Sequence, residues 1–103
     1  MQVTNNTSYP LIAFGWHTYA GYGDDVTIAP AETKEVLGPY LGDMDDGACH
    51  VTVAGEISCH EGPDDDKGYQ VALGKQLNLK SEKDKVGITV RHHSEPRIIA
   101  DAA

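Results

Sequence analysis

Apolar and polar positions alternate with a period of two along much of this chain, and turn-forming residues interrupt the alternation every few positions. In an extended strand successive side chains point to opposite faces, so this pattern predicts β-structure with one face turned towards a core. The clearest case is Cys49-His50-Val51-Thr52-Val53-Ala54-Gly55-Glu56-Ile57-Ser58-Cys59-His60. Cys49, Val51 and Val53 share a face, Ile57 and Cys59 rejoin it across a turn, and His50, Thr52, Ser58 and His60 fall opposite. Gly55 admits the tight connection, which predicts a hairpin.

The same reading predicts strands at Gln2-Val3-Thr4, at Pro10 to Phe14 extending to Trp16, and at Val26-Thr27-Ile28. Pro10 lacks an amide donor and therefore suits the start of its strand. Glu32 to Leu37 reads as a strand or a helical turn, with Gly38-Pro39 preventing continuation of a helix. Tyr69, Val71 and Leu73 alternate, then Leu77 and Leu79, and Val86, Ile88 and Val90 form a clean strand with Gly87, Thr89 and Arg91 opposite. Arg97 to Ala100 is expected to close the sheet. Gly21 to Asp25, Leu41 to Gly47, Glu61 to Gly68 and Ser81 to Lys85 read as loops or a hairpin tip.

No stretch carries ten residues of apolar helical periodicity without a Gly or Pro. The expected fold is therefore all-β, a small antiparallel β-sandwich or partly open barrel of about seven short strands. A mixed α+β fold with one short helix is the alternative. At 103 residues the chain fits a single domain, 1–103.

Charge adds a direction to this picture. Residues 1 to 66 hold one base, Lys34, against twelve acids, whereas residues 67 to 103 hold seven bases against four acids, within a net charge of -8. Acids gathered in one half attract a basic partner. Direct nucleic-acid binding is disfavoured, because phosphate contacts require a basic footprint. The opening MQVTNNTSYP has neither a positive n-region nor an apolar h-region, and no run of 18 apolar residues forms a membrane span. The expectation is a soluble protein, monomeric or weakly dimeric, with Gln2 to Thr4 or Val86 to Arg91 as candidate sheet edges. Asn5-Asn6-Thr7 and Asn6-Thr7-Ser8 match the glycosylation acceptor pattern.

Candidate chemistry begins with Cys49 and Cys59, the disulfide candidate, which share a hairpin face. Closure would contribute roughly 2–3 kcal/mol and point to a periplasmic or secreted setting. No CxxC pair suggests a redox centre. His50, His60, His92, His93, Glu61 and Asp64 to Asp66 supply ligand types for a metal-dependent enzyme, one alternative function, but the spacing does not specify convergence. Asp43, Asp45 and Asp46, like Asp64 to Asp66, lack the EF-hand spacing. Ser58, His60 and Asp64 have triad residue types without the oriented base and oxyanion donors that hydrolysis needs. Gly38-Pro39-Tyr40-Leu41-Gly42 is no phosphate loop. No catalytic residue and no cofactor is assigned.

The aromatic residues offer the better clue. Phe14, Trp16, Tyr19 and Tyr22, with His17 among them, accumulate beside a glycine-rich loop, with Phe14 expected in the core and Trp16 a candidate for the core as well as for the surface. The preferred expectation is a non-enzymatic protein-binding or structural module presenting an acidic, aromatic loop surface. Its partner-binding residues are Trp16, Tyr19, Tyr22, Asp24, Asp25, Asp43, Asp45 and Asp46. A carbohydrate-binding module is the second alternative, since rings and carboxylates supply stacking and hydroxyl acceptors.

Overall fold

A computed structural model of the chain describes residues 1–62, 68–80 and 85–95. Ten strands run through it: β1 (Gln2–Asn5), β2 (Leu11–His17), β3 (Gly21–Tyr22), β4 (Val26–Ile28), β5 (Thr33–Glu35), β6 (Ala48–Val51), β7 (Glu56–His60), β8 (Tyr69–Ala72), β9 (Gln76–Asn78) and β10 (Val86–His92). A 3-10 helical turn, Leu41–Met44, precedes β6. It lies within the segment expected to be a loop, and it buries Leu41 and Met44.

The strands form a sandwich of two five-stranded sheets. Sheet one has the order β5-β1-β6-β7-β8, and sheet two the order β3-β2-β10-β9 with β4 also paired to β2. The all-β expectation holds, with more and shorter strands than alternation suggested. Pairing is antiparallel except between β1 and β6, which run parallel from Gln2↔Ala48 to Asn5↔Val51. A parallel pair needs a long crossover, and here β2 to β5 lie between its strands in sequence. Neither expected edge is one: β1 lies between β5 and β6, and β10 lies between β2 and β9. The expected closing strand at Arg97 to Ala100 lies outside the described residues, as do Asp64 to Asp66 and most of the Ser81 to Lys85 tip.

The core lies between the sheets. Val3, Cys49, Val51, Ile57 and Cys59 of sheet one join Leu11, Ala13, Leu77, Ile88 and Val90 of sheet two in one buried cluster. Each large side chain removed from water in this way contributes about 1.5–3 kcal/mol. Alternation in β1, β6 and β7 is therefore a true record of inside and outside. Val53 departs from it: 84 % exposed, it sits at the hairpin tip, where the chain has left the strand.

The β6–β7 hairpin closes where Gly55 takes a φ of 84°, a conformation that costs glycine no Cβ clash. The Thr52 amide donates to the Glu56 carbonyl at 2.8 Å. Counting back from that bonded pair, Val51↔Ile57 and Cys49↔Cys59 occupy the closer, non-hydrogen-bonded positions. Cys49 and Cys59 face one another there and form a disulfide. The Met1 thioether sulfur lies 3.3 Å from Cys49 Sγ, a packing contact, because a disulfide sulfur has no proton to donate.

Sheet two is buried on both faces. Leu11, Ala13, Ile88 and Val90 face sheet one, while Phe14, Trp16, Thr89 and Arg91 on the opposite parity are also buried. Trp16 lies across Gly87, where a Cβ would come within 2.5 Å of the indole.

A polar knot fixes the turn after β1. The buried Asn5 amide donates through Nδ2 to the carbonyls of Tyr9 at 2.8 Å and Ile28 at 3.0 Å. Its Oδ1 accepts from the Thr7 amide at 2.8 Å and from the Thr7 hydroxyl. Asn5, the first of the two acceptor-pattern asparagines, thus has its amide nitrogen committed inside the fold.

Candidate functional site

Two segments bring the candidate residues together, and three glycines set their distance. The loop from His17 to Val26 follows β2, and the segment from Leu37 to Asp43 follows β5. They meet where Gly15, Gly23 and Gly38 pack backbone against backbone. A Cβ on Gly38 would lie 2.9 Å from Gly15 Cα, and one on Gly23 would lie 2.7 Å from Gly38 Cα. The Gly23 amide also donates to the Gly15 carbonyl at 2.7 Å. Two open grooves form at these segments, and Gly23 and Gly38 of the junction line the second of them.

The first groove, about 420 Å³, is lined by His17, Tyr19, Tyr40, Asp43, Lys80 and Val86. His17 ends β2 and is held by its own loop: Nδ1 accepts the amides of Tyr19 at 3.1 Å and Ala20 at 3.0 Å. Two donors on Nδ1 leave Nε2 to carry the proton of the neutral ring. The Thr18 hydroxyl donates to the Lys85 carbonyl at 3.2 Å and accepts the Lys85 amide at 3.1 Å, tying the loop to the start of β10. The Tyr40 ring rests against His17 with centroids 4.4 Å apart, and Tyr19 approaches His17 edge-on at 6.1 Å.

Tyr40 occupies the left-handed region at φ 67°, although it carries a Cβ. Such a conformation costs a non-glycine residue about 1–2 kcal/mol. Its ring is 55 % exposed and so recovers only part of that cost by burial.

The second groove, about 440 Å³, is lined by Tyr22, Gly23, Asp24, Val26, Glu35, Leu37 and Gly38. Leu37 is 58 % exposed and Tyr22 38 %. The Tyr22 ring is anchored edge-on against buried Phe14, with centroids 5.7 Å apart.

The expected partner-binding residues divide between these places. Tyr19 and Asp43 line the first groove, and Tyr22 and Asp24 the second. Asp25 borders the second through the chain but pairs with Arg91 Nη2 at 3.7 Å. Asp45 and Asp46 are exposed beyond the 3-10 turn and line neither groove. Trp16, expected among the partner-binding residues, is 1 % exposed and packs inside the fold against Gly87, where no partner can reach it. Sequence reasoning did not assign His17, Leu37, Tyr40 and Lys80 to the surface. A tyrosine directly after Gly-Pro was the one local signal for Tyr40, since that dipeptide marks an exposed turn.

The metal alternative finds no support in the arrangement. Among the described residues no three His, Cys, Asp or Glu side chains gather to hold an ion. His50 and His60 are exposed on β6 and β7, and His60 Nδ1 lies 3.2 Å from the Gly62 carbonyl oxygen. His92 stacks on Tyr9 with ring centroids 4.4 Å apart. Among the described residues no helix is long and apolar enough to cross a membrane.

Fold and grooves define the class as a disulfide-bonded β-sandwich domain with loop-borne aromatic surfaces. Comparison with family models, with curated proteins and with solved structures gave no match.

Proposed function

We propose that this domain is a non-enzymatic recognition module that binds a basic segment of a partner protein through the Tyr22–Leu37 groove. The observation that carries the reading is an exposed apolar pair, Tyr22 and Leu37, beside Asp24 and a Glu35 carboxylate that also binds the N-terminal ammonium at 2.7 Å, with no lysine or arginine among the described residues that line the groove. Aromatic and aliphatic anchors supply most of the energy in protein contacts, and a like-charged rim steers an oppositely charged partner onto them. The chain as a whole is acidic, with a net charge of -8, which favours a basic partner. The Cys49–Cys59 disulfide supports an oxidising setting such as a periplasm or the extracellular space.

The test is partner capture by cross-linking followed by titration of the purified partner against folded variants. Tyr22→Ala and Leu37→Asp should each weaken binding by about tenfold or more, the equivalent of about 1.4 kcal/mol. Raising the salt should slow association, because the steering charges are exposed. Unchanged affinity in both variants, with native melting curves, removes this surface from the reading.

A further inference from the structure

The groove at His17 and Tyr40 has a different chemistry. Among the described residues its lining mixes one carboxylate, Asp43, with one ammonium, Lys80, around His17, Tyr19 and Tyr40. Carboxylates only accept hydrogen bonds, ammonium groups only donate them, and a tyrosine hydroxyl does both. His17, with Nδ1 occupied by two amides, offers an Nε2 donor. Tyr19 is 74 % exposed and Tyr40 55 %, so flat apolar ring area lies open beside these polar groups.

Tyr40 shows that stability alone does not explain this arrangement. A glycine at φ 67° would carry no Cβ strain, and the half-exposed ring does little to fill a core. Strain held at a surface aromatic is the kind of outlier from which a functional role is inferred.

We infer that this groove binds a neutral saccharide. An apolar ring face of a sugar stacks on Tyr40 and Tyr19, while its hydroxyls donate to Asp43 and accept from Lys80 and His17 Nε2. The charge pattern selects this class over the two obvious competitors. A cationic side chain seated on the rings meets Lys80, and a phosphate seated beside Lys80 meets Asp43. A neutral polyol needs both a donor and an acceptor and meets no repulsion. The size of the groove, about 420 Å³, falls within the roughly 300–1,000 Å³ usual for small-ligand sites. This inference is independent of the Tyr22–Leu37 reading, which uses different residues.

The test is a titration of the isotope-labelled protein, followed through its backbone amide resonances. Cellotetraose, chitotetraose and maltotetraose are added separately to about 10 mM, suited to the weak affinity of an open site. Saturable shifts are expected at Tyr19, Ala20 and Leu41 with at least one of them, insensitive to salt. Tyr40→Gly is the decisive variant, because the backbone already favours glycine there: its melting temperature should be unchanged or higher, while affinity falls about tenfold or more. Asp43→Asn should weaken binding as well.

Absence of saturable shifts with all three sugars overturns the inference, and so does undiminished affinity in Tyr40→Gly. Stronger binding of N-acetyl-arginine amide or inorganic phosphate at the same amides also overturns it. Sugar shifts confined to Tyr22, Gly23 and Leu37 reject this groove as the site. Leu37→Asp should leave sugar affinity unchanged, so failure here and failure of the protein-binding reading are separate results.

Discussion

Gly38 packs so closely on Gly15 that a Cβ added to Gly38 would meet the Gly15 Cα at 2.9 Å and its carbonyl carbon at 3.0 Å. The neighbours are backbone atoms of a central strand, which cannot rotate away as a flexible side chain does. Gly38→Ala is therefore expected to cost about 1–3 kcal/mol, the range for overpacking in a filled interior. Urea unfolding measures the loss. Because Gly38 lines the second groove and precedes Tyr40 by two residues, amide shifts in the variant should reach both Tyr22 and Tyr40.

The Cys49–Cys59 disulfide links residues ten positions apart. In the chain-entropy description, closing a loop of that length stabilises by about 3 kcal/mol. Replacing both cysteines by alanine should lower stability by about 2–4 kcal/mol, with the small apolar contacts of two buried sulfurs lost as well. Thermal melts with and without reductant check this. Both sulfurs are buried, at 2 % and 4 % residue exposure, so reduction of the folded protein should be slow and should accelerate on partial unfolding.

Trp16 is the single tryptophan and is 1 % exposed. Its emission should be that of an indole shielded from water, and acrylamide should quench it poorly in the folded state. Trp16→Ala should cost about 3–5 kcal/mol and lower thermal stability sharply. Red-shifted, readily quenched emission in the native protein would place the indole at the surface and return Trp16 to the contact residues.

Glu32 predicts a specific acid response. Its carboxylate accepts the Ala29 amide at 3.0 Å and pairs with Lys34 Nζ at 3.4 Å. The backbone hydrogen bond from Ala29, the largest effect, holds its pKa below the ordinary 4.5 against desolvation, the second in size, with lesser help from the Lys34 charge and contact. A carboxylate whose folded pKa is lowered contributes stability that is complete above its unfolded value and is lost as pH falls through the folded one. The Glu32 contribution should thus be intact above about pH 4.5 and disappear below it. Side-chain carbon resonances followed against pH report the lowered midpoint directly, and Glu32→Gln should abolish that part of the acid destabilisation.

Local alternation was sufficient for the β6–β7 hairpin and for β10. The cysteines on one face of the 49–60 segment, and the Val86-Ile88-Val90 stripe, report burial because each needs only its own strand geometry to be read. The shared face of Cys49 and Cys59 was legible for the same reason. Their disulfide follows from register, which a short turn at Gly55 constrains within a few residues.

Other features required contacts that no local pattern encodes. The parallel pairing of β1 with β6 depends on how four intervening strands distribute between the sheets. Burial on both faces of sheet two takes Trp16 away from the surface, although its neighbours Tyr19 and Tyr22 remain there. The His17–Tyr40 pair joins residues far apart in the chain, and the strain at Tyr40 is visible only as a backbone angle. Sequence by itself determined strand character, the acidic first half and the shared face of the cysteines, since these arise from short-range geometry and composition. Tertiary structure alone decided which aromatic rings meet solvent and which charges share a groove, because burial and convergence depend on the packing of segments distant in the chain.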